Sequence, residues 1–214
     1  MVGKFITFEG GEGTGKSTQI KLLDDFLKVK DCDVITTKEP GGTELGTELR
    51  KLLITGSQDK MDAITEALLF FADRHHHLVS KIWPALNANK WVLSDRFADS
   101  TFAYQYYGHN ARVSYENLQS LYKLAVGDFK PDLTFILDIE PEKGLKRSFA
   151  RALNEKSKEL RFENIDIEFH KRLRDGFLKI AKNDPQRCVV LNADKTIEEL
   201  HQEIVHVITE RFGC

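Results

Sequence analysis

Cysteine is scarce and scattered in this chain of 214 residues: Cys32, Cys188 and Cys214 are odd in number, far apart and without a CxxC pair. That pattern argues against a disulfide scaffold and a zinc site, and it fits a reducing compartment. Nor is there an apolar run near the roughly 18 residues of a membrane span. The N-terminal apolar stretch is about six residues, too short for the h-region of a signal peptide. A cytoplasmic protein with no membrane partner is expected. Charge of one sign is not in excess either. With 31 Lys and Arg against 33 Asp and Glu, the net charge of -2 gives no footing for a nucleic-acid surface. No repeat, low-complexity tract or Pro/Gly/Ser linker divides the chain, so one domain spanning 1–214 is expected, large enough to bury a core.

Five short apolar runs, each bounded by polar or turn residues, read as buried parallel strands: Phe5–Phe8, Val34–Thr37, Trp91–Ser94, Leu133–Leu137 and Cys188–Leu191. Helical patterns separate them at Gln19–Val29, Asp62–Leu86, Ser114–Val126, Pro141–Ala152, Ile167–Ala181 and Ile197–Phe212. Pro141 suits the first position of its helix, and Thr196 with Glu199 spells a capping box. Alternation of this kind predicts an α/β fold, a parallel sheet covered by helices on both faces. Ligands of such sheets lie beyond the C-terminal strand ends. Chemistry is therefore expected at Glu9–Ser17, Lys38–Thr43, Asp95–Gln105, Asp138 and Asn192–Lys195.

At the first of these ends stands GGEGTGKS, Gly10–Ser17, a phosphate-binding loop after a strand and opening a helix. Its glycines let backbone N–H groups converge on phosphate oxygens, and the helix N-terminus favours negative charge. In this pattern Lys16 reaches the β- and γ-phosphates and the Ser17 hydroxyl coordinates Mg²⁺.

Nucleotide-switch GTPases, kinases of hydroxyl groups and kinases of nucleoside monophosphates share this loop. The switch module lacks support, because the guanine-reading Asn/Thr-Lys-x-Asp motif is absent. Asn192-Ala193-Asp194-Lys195 has the wrong order, and no DxxG follows a candidate strand. A hydroxyl acceptor needs a general base. A phosphate monoester, with a second pKa of about 6, is already a dianion and needs cations to bring two anions together. Behind the third strand stands SDRF, Ser94–Phe97. Arg96 can fork onto a phosphate, and Asp95 can orient a Mg²⁺-bound water or Ser17. An ordinary salt bridge at a strand end is the alternative.

FEGGEGTGKSTQ (8–19), KEPGGT (38–43), LLFFADR (68–74), SDRFADSTFAYQYYG (94–108), GDFKPDLTFILD (127–138) and GLKR (144–147) together resemble the thymidylate kinase family, in order and over nearly the whole chain. The resemblance implies a P-loop NTPase fold with a five-stranded parallel sheet and helices on both faces. It implies ATP-dependent phosphorylation of dTMP to dTDP in dTTP biosynthesis, with Mg²⁺, by a homodimer. Under it the runners-up are a deoxynucleoside kinase on the same fold and a non-enzymatic switch module.

The resemblance also implies roles for single residues. Gly10, Gly11, Glu12, Gly13, Thr14, Gly15, Lys16, Ser17, Thr18 and Arg147 take ATP, and Ser17 takes the metal. Glu12, Pro40, Arg50, Phe70, Arg74, Arg96, Thr101, Tyr104 and Gln105 take dTMP. Within that set Phe70 stacks on thymine and Arg74 hydrogen-bonds it, and their i, i+4 spacing independently puts both on one helical face. Tyr104 crowds the sugar 2′ position, Glu12 meets the 3′-hydroxyl, and Arg50 stands near the acceptor phosphate. Lys16, Arg96, Asp95 and Arg151 are the catalytic set.

Gly13-Thr14 is not basic, so cationic help for the transferring phosphoryl is expected from a mobile lid at about 147–163, with Arg147, Arg151 and Arg161 as candidates. Phe149 stands where related lids often carry a further arginine. His75-His76-His77 does not read as a metal site, since consecutive helical residues point about 100° apart. These histidines are expected to be partly exposed polar residues. Asp138 reads equally as a Mg²⁺-shell acid or a structural cap. The Asp62–Leu86 helix is the implied dimer face.

Overall fold

Each expected strand forms and runs one residue further, to a polar side chain at its C-terminal end. They are β1 (Phe5–Glu9), β2 (Val34–Lys38), β3 (Trp91–Asp95), β4 (Leu133–Asp138) and β5 (Cys188–Asn192). The computed structural model describes residues 2–57, 59–155 and 159–213. Every pairing is parallel and the strand order is β2-β3-β1-β4-β5. Register sets the functional edge: Phe8 lies opposite Asp95, Lys38 opposite Asp95, and Glu9 opposite Ile136. The chain that leaves β1 therefore emerges beside the chain that leaves β3.

Side chains alternate between the two faces of the sheet. Ile6, Phe8, Leu93 and Phe135 face α1 (Lys16–Val29) and α9 (Ile197–Phe212), where Leu23, Leu27, Ile204 and Ile208 are fully buried. Burying each such aliphatic side chain contributes about 1.5–3 kcal/mol. Phe5 and Val92 face the other way, against Leu78 and Ile82. On that side Thr7 and Thr134 share a hydrogen bond of 2.7 Å, and Glu9 is buried with them. Thr196 accepts from the Glu199 amide at 3.2 Å while the Glu199 carboxylate accepts from the Thr196 amide at 3.0 Å, so the capping box opens α9 as expected.

Three stretches differ from expectation. The span read as one helix over Asp62–Leu86 is α3 (Ala63–His77), a π-wound turn (Leu78–Ile82) and α4 (Trp83–Asn87) in succession. Pro84 lacks an N–H and its ring conflicts with the carbonyl four residues back, at Ser80. The π turn absorbs that conflict, with the Trp83 amide donating five residues back to Leu78. Glu44–Ile54 forms α2, opened by Thr43, whose hydroxyl accepts from the Gly46 amide at 3.0 Å. Its buried positions are Gly46, Leu53 and Ile54. Finally, α5 (Ala98–Thr101) runs into a second π-wound segment, Phe102–Gly108. Aromatic residues on several sides and non-α winding hide the usual period there. The remaining helices are α6 (Tyr115–Ala125), α7 (Pro141–Glu155) and α8 (Ile167–Asn183), with Pro141 opening α7.

Candidate active site

Beyond β1 the chain must turn tightly under neighbouring backbone. Gly10 has φ +130, and a Cβ there would stand 2.4 Å from the Leu137 carbonyl oxygen; Gly13 has φ +66 and would meet the Gly144 oxygen at 2.0 Å. Only glycine fits such positions. The loop thus wedges between the end of β4 and the start of α7, and hands over to α1 at Lys16. Lys16 Nζ donates to the carbonyls of Gly11 (2.8 Å) and Gly10 (3.2 Å), and the Ser17 hydroxyl donates to Asp95 at 2.8 Å.

Arg96, one residue past β3, has φ +71. A left-handed conformation costs a non-glycine residue about 1–2 kcal/mol, so neighbouring bonds have to hold it. Its amide donates to the Phe8 carbonyl (2.9 Å), and its carbonyl accepts from the Ser94 hydroxyl (2.8 Å). The guanidinium donates to the Gly10 carbonyl (2.9 Å), Ser100 (3.0 Å) and Glu12 (3.1 Å), and lies 5.1 Å from the Tyr104 ring centre. The Tyr104 hydroxyl donates to the same Glu12 carboxylate. Burial alone raises the Glu12 carboxyl, but Arg96, Lys16 and the Tyr104 hydroxyl outweigh it and hold it down at about 2.

These groups line a cleft of about 610 Å³ that runs from the phosphate loop to α3. Glu12, Gly13, Thr14, Gly15, Lys16, Ser17 and Thr18 form one end, whereas Gly10 and Gly11, expected to take ATP with them, stand outside the cleft wall and line a separate small cavity with Asp138, Pro141 and Arg174. Asp95, Arg96, Thr101 and Tyr104 form the middle, and Pro40, Arg50, Phe70 and Arg74 the far end. Arg74 is 1% exposed: Nε donates to Glu39 (2.8 Å) and Nη2 to the Phe97 carbonyl and Thr101 (both 3.0 Å). Its Nη1 has no partner among the described residues. The Phe71 and Phe97 rings flank the guanidinium at 5.0 and 5.3 Å. Phe70 is half-buried in the wall, 6.4 Å from Phe162. Arg50 forks onto Glu159 and donates to the Pro40 carbonyl at 2.9 Å.

Several expected residues stand elsewhere. Gln105 is fully buried outside the cleft wall, its amide donating to Glu66 at 2.6 Å. It lies in the π-wound Phe102–Gly108 segment, and its Oε1 has no partner among the described residues. Arg147 is likewise outside the wall: it donates to the Ala193 carbonyl at 2.8 Å, beside the strand end Asn192–Lys195. Arg161 lines the cleft but is 5% exposed, paired with Glu66 and donating to the Leu53 and Ser57 carbonyls. Arg151 lines the cleft from α7 and is exposed. Residues 156–158 of the expected lid lie outside the described residues.

The histidines diverge as helical geometry requires. The expectation of partial exposure fails at His77, which is fully buried between Thr37 (2.7 Å) and Glu39 (2.9 Å). Asp138 is in an ion pair, its two oxygens accepting from Arg174 at 2.7 and 2.9 Å. Glu9, Glu39 and Ser100 fell within the expected strand-end segments but were given no individual role from sequence. Glu39 stands within KEPGGT and Glu9 directly before the loop, so adjacency to a motif was the available signal. Among the described residues no group of three His, Cys, Asp or Glu side chains could hold a metal. Ser17 and Asp95 do supply two hard oxygens, the donor type that suits Mg²⁺ arriving with substrate phosphates and keeping its waters.

Burial pushes the Lys16 amine down and Arg96 adds to that; Asp95, Glu12 and Glu9 offset only part, leaving it at about 8. Below that pH, Lys16 is protonated folded and unfolded alike, and folding has to bury its charge. From about 8 to its ordinary value near 10.5 the unfolded chain binds more protons, so this group's contribution to stability rises with pH. Lys16→Met should therefore raise the Tm at pH 7, at about 2–4 °C per kcal/mol in a chain of this size, and remove that rise. It should also abolish phosphoryl transfer, since the loop pattern assigns that charge to the β/γ-phosphates. A lower Tm at pH 7 in thermal melts contradicts the buried-charge argument, and an unchanged kcat contradicts the loop assignment.

The thymidylate kinase family profile matches residues 8–204. The chain is 46% identical over 210 residues to a thymidylate kinase of Bradyrhizobium sp. (strain ORS 278), covering 98% of this chain and 91% of that protein. It is 47% identical over 210 residues to one of Sulfurihydrogenibium sp. (strain YO3AOP1), covering 98% of each. The crystal structure of thymidylate kinase from Ehrlichia chaffeensis superposes with a TM-score of 0.77 at 36% identity, over 97% of this chain and 99% of that one. With a P-loop fold of five parallel strands and this breadth of match, the chain belongs to the thymidylate kinase family.

Proposed function

We propose that the protein transfers the γ-phosphoryl group of ATP to dTMP, giving dTDP and ADP, with Mg²⁺ held at Ser17 and, through water, at Asp95. The observation that carries this reading is Arg74. Its Nη1 is a buried donor without a partner among the described residues, on the cleft wall beside Phe70. A base that presents a carbonyl oxygen satisfies that donor, and the Phe70 ring offers a stacking face. Arg96 then sits between base end and phosphate loop, where it can fork onto the acceptor phosphate while Lys16 draws the ATP phosphates. An oxygen of that dianion forms the new bond to the γ-phosphorus as the bond to the bridging oxygen of ADP breaks. Mg²⁺ would neutralise charge on the β- and γ-oxygens.

No hydroxyl-activating base is needed, and the carboxylates near the acceptor are poorly suited to be one. Glu12, Glu39 and Glu159 each pair with an arginine, Arg96, Arg74 and Arg50 respectively. ADP release with dTMP, dUMP, dCMP and thymidine tests the reading. Loss of the thymine methyl should lower kcat/KM by a modest factor, about 1–3 kcal/mol at most. dCMP should be strongly disfavoured, since its amino group faces the Arg74 donor, and thymidine should be inert. Comparable kcat/KM for dTMP and dCMP defeats the Phe70–Arg74 pocket.

Cationic support for the transferring phosphoryl is assigned to Arg151, in a lid that spans about 147–163 of a single domain. Arg161, tied down at Glu66 and two carbonyls, is less free to serve. Arg151→Ala should lower the single-turnover rate by at least about 10²-fold with little change in dTMP affinity, as arginine fingers do. A normal rate in Arg151→Ala, with a slow one in Arg161→Ala, reverses the assignment.

A homodimer is proposed through α3 and its π-wound extension. Ile64, Leu68 and Val79 are about half exposed and share one helical face, with Leu45 and Leu52 of α2 also exposed. Leu68→Glu should convert a two-chain species to one chain in sedimentation; an unaltered mass places the interface elsewhere.

A further inference from the structure

The Glu9 carboxyl is 0% exposed and forms no ion pair among the described residues. A buried acid without a direct cation demands a reason. Its two oxygens point to different parts of one turn: Oε1 accepts the Phe97 amide at 2.8 Å, and Oε2 meets the Ser100 hydroxyl. Phe97 directly follows Arg96, so the first contact fixes the peptide that closes the left-handed residue at φ +71. Ser100 in turn accepts from Arg96 Nη1 at 3.0 Å, so the second contact reaches the guanidinium. One carboxyl thus governs both the backbone and the side chain of Arg96. The chemistry of the loop motif does not call for it.

We propose that Glu9 is a positioning residue, which holds Arg96 through the Phe97 amide and the Ser100 hydroxyl in the conformation that presents its guanidinium to the acceptor phosphate. The inference rests on the reading of Arg96 as the ligand of that phosphate. Burial first, and then the Asp99 carboxylate, push the Glu9 carboxyl up to about 8, against Ser100, Arg96 and the Phe97 amide. Either protonation state keeps both contacts. Ionised, the carboxylate accepts the Ser100 hydroxyl proton; protonated, it donates to Ser100 Oγ while its other oxygen keeps Phe97. Glutamine reproduces the second arrangement, with an amide oxygen for Phe97 and an amide N–H for Ser100. Alanine reproduces neither.

Steady-state kinetics on Glu9→Ala, Glu9→Gln and Ser100→Ala, with ATP and dTMP varied separately, tests the proposal. Glu9→Ala should raise the KM for dTMP at least about tenfold and lower kcat, since a misplaced guanidinium spoils in-line geometry, with the KM for ATP moving by less than about twofold. Glu9→Gln should recover most of the loss, and Ser100→Ala should move the same parameters part of the way. An unchanged KM for dTMP in Glu9→Ala overturns the proposal, as does a fall in kcat that glutamine does not relieve while both KM values stay normal. If Glu9→Ala does not fold, an unaltered KM for dTMP in Ser100→Ala overturns it. Arg96→Ala separates the two layers. If dTMP kinetics stay normal there, the reading of Arg96 itself fails. If they collapse there but not in the Glu9 and Ser100 variants, only the role of Glu9 fails.

Discussion

The guanidinium of Arg96 is the junction on which the cleft depends. It gathers the carbonyl of Gly10, the carboxylate of Glu12 and the hydroxyl of Ser100 into one plane of hydrogen bonds. These groups come from the phosphate loop and from the helix after β3, and they meet because Phe8 and Asp95 are in register across the sheet. Hydrogen bonds to a charged group are each worth about 1.5–3 kcal/mol, against a backbone strain of similar size. Without the arginine, Glu12 would keep only Lys16 and the Tyr104 hydroxyl to offset its burial.

The same pairing logic explains how a protein of net charge -2 can receive two polyanionic substrates. Arg96, Arg74 and Arg50 each carry a carboxylate partner at the cleft, and Lys16 rests on loop carbonyls. Bulk composition averages these charges away. Local geometry keeps them on one wall, where burial holds Lys16 well below an ordinary lysine, while Arg96, Lys16 and the Tyr104 hydroxyl hold Glu12 below an ordinary glutamate despite its burial.

What could be read from the chain follows from how local each cause is. The phosphate loop, the five strands and the Thr196 cap are set by short-range chemistry, and they stand where the sequence puts them. Phe70 and Arg74 share a helical face because i and i+4 must. The burial of Gln105 against Glu66 could not be read from the chain, because the Phe102–Gly108 segment that carries it is π-wound and follows no α-helical period. Arg161 and His77 escaped because their partners, Glu66 and Glu39, are distant in sequence. Glu9 had an ordinary appearance, the last residue of a strand. Its significance lies in Phe97 and Ser100, about ninety residues away, which no local pattern can disclose.

Helix α3 carries obligations on opposite sides. Phe70 and Arg74 turn toward the cleft, His77 is buried against Thr37 and Glu39, and Ile64, Leu68 and Val79 turn outward. Substitutions can alter one side and spare the other, but an insertion or deletion cannot. Removing one residue between Leu68 and Phe70 rotates everything beyond it by about 100° relative to what precedes it, so the cleft-facing and outward rows can no longer both be in phase. The helix is therefore fixed in length more strictly than in composition.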